Sequence, residues 1–68
     1  MGQKEVYDWL VEHRQGTAYD MAKDLDTSVG QIFKCIGELE KWKTVKLRRD
    51  RNEDGRMVYV LVSYEEFR

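Results

Sequence analysis

Sixty-eight residues with a formal net charge of -1, 41% hydrophobic residues and no proline set the scale of one small folded domain. That length leaves no room for a second folded unit or a ligand-sensing domain, and no apolar run is long enough to span a membrane or resembles a secretion signal. A single cysteine, Cys35, rules out an intrachain disulfide, so the reducing cytoplasm is the expected location.

The first predicted element is a helix over residues 3–14. Val6, Trp9, Leu10 and His13 recur at the i, i+3, i+4, i+7 spacing of one inward face. Gln15-Gly16 ends it. Thr17 then fits an N-cap with Asp20 three residues on, an aspartate variant of the capping box. Ala18, Met21, Ala22 and Leu25 form the inward stripe of a short helix over residues 18–25. After the turn at Asp26-Thr27, Ser28 is the expected N-cap of a third helix over residues 29–43. Its stripe is Ile32, Cys35, Ile36 and Leu39, flanked by Phe33 and Trp42.

From Val45 the period changes from 3.6 to 2. Val45, Leu47 and Arg49 alternate with Lys46 and Arg48, Asn52 to Gly55 supply turn chemistry, and Arg56 to Val62 return as a second strand. The returning strand is apolar on both faces, with Val58, Val60 and Val62 on one and Met57, Tyr59 and Leu61 on the other. One face is expected to cover the helices. The other needs cover from the C-terminal segment, from the first helix, or from a second molecule.

The whole chain is therefore expected to be one α+β domain, mainly α, with three helices followed by a two-stranded hairpin over residues 45–62. Two helices joined by so brief a turn cross steeply, so the order of parts is that of a winged helix-turn-helix.

The segment from Ala18 to Val45 resembles the winged helix-turn-helix domains of prokaryotic transcription regulators, including the MarR-like and ArsR-like groups. The residues that carry the likeness are Ala22, Leu25, Ser28, Ile32, Ile36, Leu39 and Val45. Two positions depart from the pattern: Asp26 stands where glycine is common after the second helix, and Trp42-Lys43-Thr44 replaces the glycine that often closes the third. The long extra helices through which MarR-like regulators dimerise are missing, so their dimer is not implied. What the resemblance implies is a minimal DNA-binding regulator of transcription, of a prokaryotic or viral kind, without an effector domain.

Charge segregation points the same way. Residues 1–26 carry three Lys/Arg and six Asp/Glu, whereas residues 27–56 carry eight and five, so the positive charge lies on the third helix and the hairpin. In a DNA complex, Ser28, Gly30, Gln31, Lys34, Gly37 and Lys41 are the expected recognition-helix residues, with Gln31 and Lys34 at base edges and Lys41 on phosphate. Lys46, Arg48, Arg49, Arg51 and Arg56 are the expected wing residues, holding backbone or a narrow minor groove. Gly37 stands out, because an interior helix glycine costs about 1 kcal/mol relative to alanine, which implies close approach of something to its backbone.

Tyr7, Val11, Tyr64 and Phe67 form a candidate homodimer patch, with packing inside one chain as the alternative. The smooth glycine face and low net charge also fit a protein-interaction module that binds no DNA. Nothing in the sequence points to catalysis, a metal, a cofactor, a small-molecule ligand or a membrane. His13 and Cys35 read as packing residues, and no His/Cys cluster has metal-ligand spacing.

Overall fold

The computed structural model describes residues 2–67. Three helices and a three-stranded antiparallel sheet follow in the order α1 (Gln3–His13), β1 (Gln15–Gly16), α2 (Ala18–Asp24), α3 (Val29–Lys41), β2 (Val45–Arg51) and β3 (Met57–Tyr64). The α+β class agrees with expectation. The sheet has three strands, not two, because Gln15 and Gly16 pair with Val60 and Tyr59 and place β3 at the centre of the order β1-β3-β2.

Local chemistry sets the helix starts. The Asp20 backbone N–H donates to Thr17 Oγ1 at 3.1 Å while the Thr17 N–H donates to Asp20 Oδ2 at 3.3 Å, which is the expected capping box. Ser28 Oγ likewise accepts the Gln31 N–H at 3.2 Å. At the start of α1, the Glu5 carboxylate accepts the backbone N–H of Gly2.

The helix ends share a device that the sequence conceals. Arg14, Asp26 and Lys43 follow the three helices in the left-handed region, with φ of 72°, 53° and 58°, and none is glycine. After α3, the Thr44 N–H donates to the Leu39 carbonyl at 2.9 Å and the Lys43 N–H to the Glu40 carbonyl at 3.0 Å. These two bonds close the helix as a Schellman motif, at Lys41 rather than at residue 43. A lysine in that conformation crowds its Cβ against the carbonyl, a cost of about 1–2 kcal/mol that glycine avoids. Lys43→Gly is therefore expected to raise stability by about 1 kcal/mol, after the extra chain entropy of unfolded glycine is deducted. A urea midpoint that stays put or falls would show instead that the left-handed lysine carries no strain.

The core lies where the helices meet the inner face of the sheet. Val6 and Leu10 from α1, Met21 from α2, and Ile32, Ile36 and Leu39 from α3 are buried together with Val45, Leu47 and Tyr59. Burial raises the pKa of the Tyr59 phenol, and the neighbouring Arg49 partly offsets that rise. Three residues expected on or beside the inward stripes lie outside this core. His13 is exposed in the last turn of α1, Phe33 is 47% exposed and Trp42 is 68% exposed.

The two-sided apolar strand is accommodated by a bulge. Val45 pairs with Tyr64 and Leu47 with Leu61, so the ladder steps over Val62. Directly opposed residues share a face, and the skipped residue brings Tyr64 onto the same face as Leu61. There Tyr64 meets Tyr7 edge-on, with ring centroids 6.1 Å apart. On the opposite face Val58 and Val60 are half-buried, whereas Val62 remains 53% exposed.

Candidate nucleic-acid interface

Turns of 100° per residue divide α3 into two faces. Ile32, Cys35, Ile36 and Leu39 point into the core, leaving Gly30, Phe33, Lys34, Gly37 and Lys41 exposed on the other side. That exposed face carries two cations, Lys34 and Lys41, and Glu38 and Glu40 stand half-buried at its boundaries, Glu38 in one cleft with Lys34. Lys34 and Lys41 make no ion pair among the described residues, and the Lys41 ammonium lies 5.5 Å from the Trp42 ring centroid.

The two glycines are open. A Cβ at Gly30 or Gly37 would meet nothing within 4 Å among the described residues. Packing within the chain therefore does not explain Gly37, and the surface along the helix axis is smooth on both sides of Phe33.

Gln31, expected among the outward residues, lies at the edge of this face. It sits at the boundary, about a quarter turn from the middle of the buried stripe. It is half-buried there in a cleft shared with Gly2, Gln3, Lys34 and Glu38, and its amide donates to Cys35 Sγ at 3.8 Å. Ser28 Oγ is likewise engaged as the cap of α3.

The hairpin is cationic in sequence, and two of its five expected cations, Arg48 and Arg49, are ion-paired in space. The turn is built by Asn52, whose Oδ1 accepts the backbone N–H groups of Asp54 and Arg56 at 3.0 Å each, with Gly55 at φ 78°. Arg48 donates to Asp50 at 2.9–3.2 Å. Arg49 lies on the inner face, where it donates to both oxygens of Glu40 on α3 at 2.6 and 3.1 Å and sits 5.2 Å from the Tyr59 ring centroid. The hydrogen bonds from Arg49 to Glu40 hold the Arg49 pKa above its ordinary value. Arg51 donates to the Gly55 carbonyl at 2.7 Å, and Arg56 lies 5.2 Å from the Tyr19 ring centroid.

Lys46 is exposed and makes no ion pair among the described residues. The five expected wing cations therefore do not act as one free cluster. Exposed pairs such as Arg48–Asp50 are worth only about 0–1 kcal/mol, so they yield readily to a phosphate, but their carboxylates stay behind and weaken the local field.

No family model, curated protein or solved structure matches the chain. The site is therefore defined by its own geometry.

The candidate dimer patch is largely consumed inside the chain. Tyr7 is buried, its hydroxyl donates to the Glu65 carbonyl at 2.7 Å, and the Phe67 ring lies 5.4 Å from it by centroids. Arg14 covers Tyr64 at 5.3 Å, and Val11 packs half-buried against the core. Tyr7 cannot serve a second copy without giving up this packing.

An apolar cleft that the sequence does not announce lies beside α3. Ala18, Tyr19, Val29, Phe33 and Met57 line it, with Thr17 and Arg56 at its edge. Tyr19, 64% exposed, and Phe33 form its most accessible part. Its residues come from three elements, so no single periodicity signals it. The one cue in the chain is an aromatic at position 33, off the buried stripe of α3.

The chemistry elsewhere is structural. Trp9 Nε1 donates to Asp24 Oδ2 at 2.7 Å, and His13 stacks on the Trp9 ring at 4.0 Å with Nδ1 within 2.9 Å of the Trp9 carbonyl oxygen. Cys35 is buried. No group of three or more His, Cys, Asp or Glu side chains is placed to hold a metal ion, and no helix is long and apolar enough to cross a membrane, among the described residues.

Proposed function

We propose that the chain is a minimal winged helix-turn-helix that binds duplex DNA as a cytoplasmic regulator of transcription, with α3 in the major groove and the hairpin as the wing. The observation that carries this reading is the exposed face of α3. Lys34 and Lys41 stand there without an ion pair among the described residues, beside glycines that let a groove close on the helix backbone. Phosphate contacts fix register and base-edge contacts select sequence, and this face offers groups for both. The hairpin adds Lys46 and exchangeable arginines on the same half of the sequence.

The supporting experiment is an amide-resolved NMR titration with a mixed-sequence duplex at low and at near-physiological salt. Shifts in residues 28–41 and 46–56 that fade as salt rises are the expected result, because released counterions make phosphate binding salt-dependent. Absence of shifts at low salt would remove the DNA reading.

A second reading has its own observation. The cleft around Tyr19 and Phe33 is apolar and open, and two of the five hairpin cations, Arg48 and Arg49, are ion-paired, as in a module that docks another protein. Under that reading a duplex leaves the spectrum unchanged at any salt. No catalytic role is proposed.

A further inference from the structure

Resting on the DNA reading, we infer that Phe33 is a specificity-determining residue that contacts the 5-methyl group of thymine in the major groove. Phe33 is the one large apolar side chain on the exposed face of α3, lying between Gly30 and Gly37 in sequence and next to Lys34. Neither glycine has a neighbour within 4 Å of a Cβ position, so base edges can approach the helix until the side chains of Phe33 and Lys34 touch them. A phenyl ring has no hydrogen-bonding group, and among the features of the major groove only the thymine methyl is apolar.

The ring is also braced. It lines the cleft with Tyr19, Val29 and Met57 and is 47% exposed, so part of its surface is already covered by the chain and less side-chain freedom is lost on binding. Charge selects the occupant. The exposed face carries Lys34 and Lys41, neither of them ion-paired among the described residues, and so complements a polyanion. Lys34 meets the neighbouring phosphate or guanine edge while Phe33 reads the methyl.

The test is a binding selection from duplexes randomised over about 10 base pairs, one turn of the helix. One library is amplified with thymidine and one with deoxyuridine, which lacks only the methyl group. Wild type is expected to enrich thymine at one or two positions of the first library and to show no such preference in the second. In direct competition, a selected thymidine duplex is expected to bind about fourfold more tightly than its deoxyuridine counterpart, the factor for burying one methyl-sized group. Phe33→Ala loses the preference while still binding duplex, and Phe33→Leu, which keeps an apolar contact, retains part of it. Circular dichroism of both variants checks the fold.

Selected pools with no thymine preference, or a preference that persists in deoxyuridine or in Phe33→Ala, would overturn the assignment of Phe33 alone. No retention of duplex from either library by wild type, even at low salt, would overturn the DNA reading, and this inference with it.

Discussion

Gly16→Ala is expected to destabilise the domain by about 3 kcal/mol, the upper end of the cost of overpacking a filled core. A Cβ at this position would overlap Cη2 of Trp9 and lie 2.8 Å from its Cζ3. The indole cannot easily retreat. Its Nε1 is tied to Asp24 at 2.7 Å, its outer face carries the His13 ring at 4.0 Å, and its side chain is buried. Gly16 cannot retreat either, because it pairs with Tyr59 in the ladder that joins β1 to β3. A chain of this length has a total stability of roughly 3–10 kcal/mol, so the change removes a large share. Urea denaturation followed by tryptophan fluorescence measures it. The cause is separable from a general effect of alanine: Trp9→Phe removes the six-membered ring that collides, so the double variant should be destabilised by less than the sum of the two single effects. Strict additivity would show that the clash is relieved some other way.

The same residues show what is legible in the sequence and what is not. The capping pairs Thr17–Asp20 and Ser28–Gln31 are local in sequence, and both form as expected. The buried stripe of α3 is equally local, being set by the helix period. Strand β1 is not legible, because two residues cannot display an alternation and a glycine next to a helix end reads as a stop. Its strand character comes from pairing with residues more than forty positions away. The third helix ends two residues before its expected end because Lys43 turns left-handed, a stop that glycine would have announced and lysine does not. His13 continues the inward spacing of α1, but in the last turn it rests on the outside of Trp9.

Site legibility follows the same division. Lys34, Gly37 and Lys41 are exposed as the period requires, whereas Gln31 falls on the boundary between faces. The pairing of Arg49 with Glu40 joins β2 to α3, and that of Arg56 with Tyr19 joins the hairpin to α2. Neither follows from composition. A count of hairpin arginines therefore overstates the free positive charge, since Arg48 and Arg49 of the four are ion-paired.

Reversing Lys34 and Lys41 together, as Lys34→Glu with Lys41→Glu, is expected to weaken duplex binding by at least about 100-fold at low salt while leaving the fold intact, since a good base-edge contact is worth about 1–3 kcal/mol and each new glutamate adds repulsion from the phosphates. Both side chains are exposed and neither holds an ion pair among the described residues, so stability should change little. Affinity measured by fluorescence anisotropy across a salt series reads both effects. The slope of log K against log salt should flatten by about 0.9 for each lysine that meets phosphate. Arg49→Ala supplies the contrast, because Glu40 already holds that guanidinium on the inner face of the sheet. Its removal should lower stability modestly and affinity only slightly. A larger drop in affinity from Arg49→Ala than from the lysine reversal would place the DNA contact on the hairpin and take α3 out of the groove.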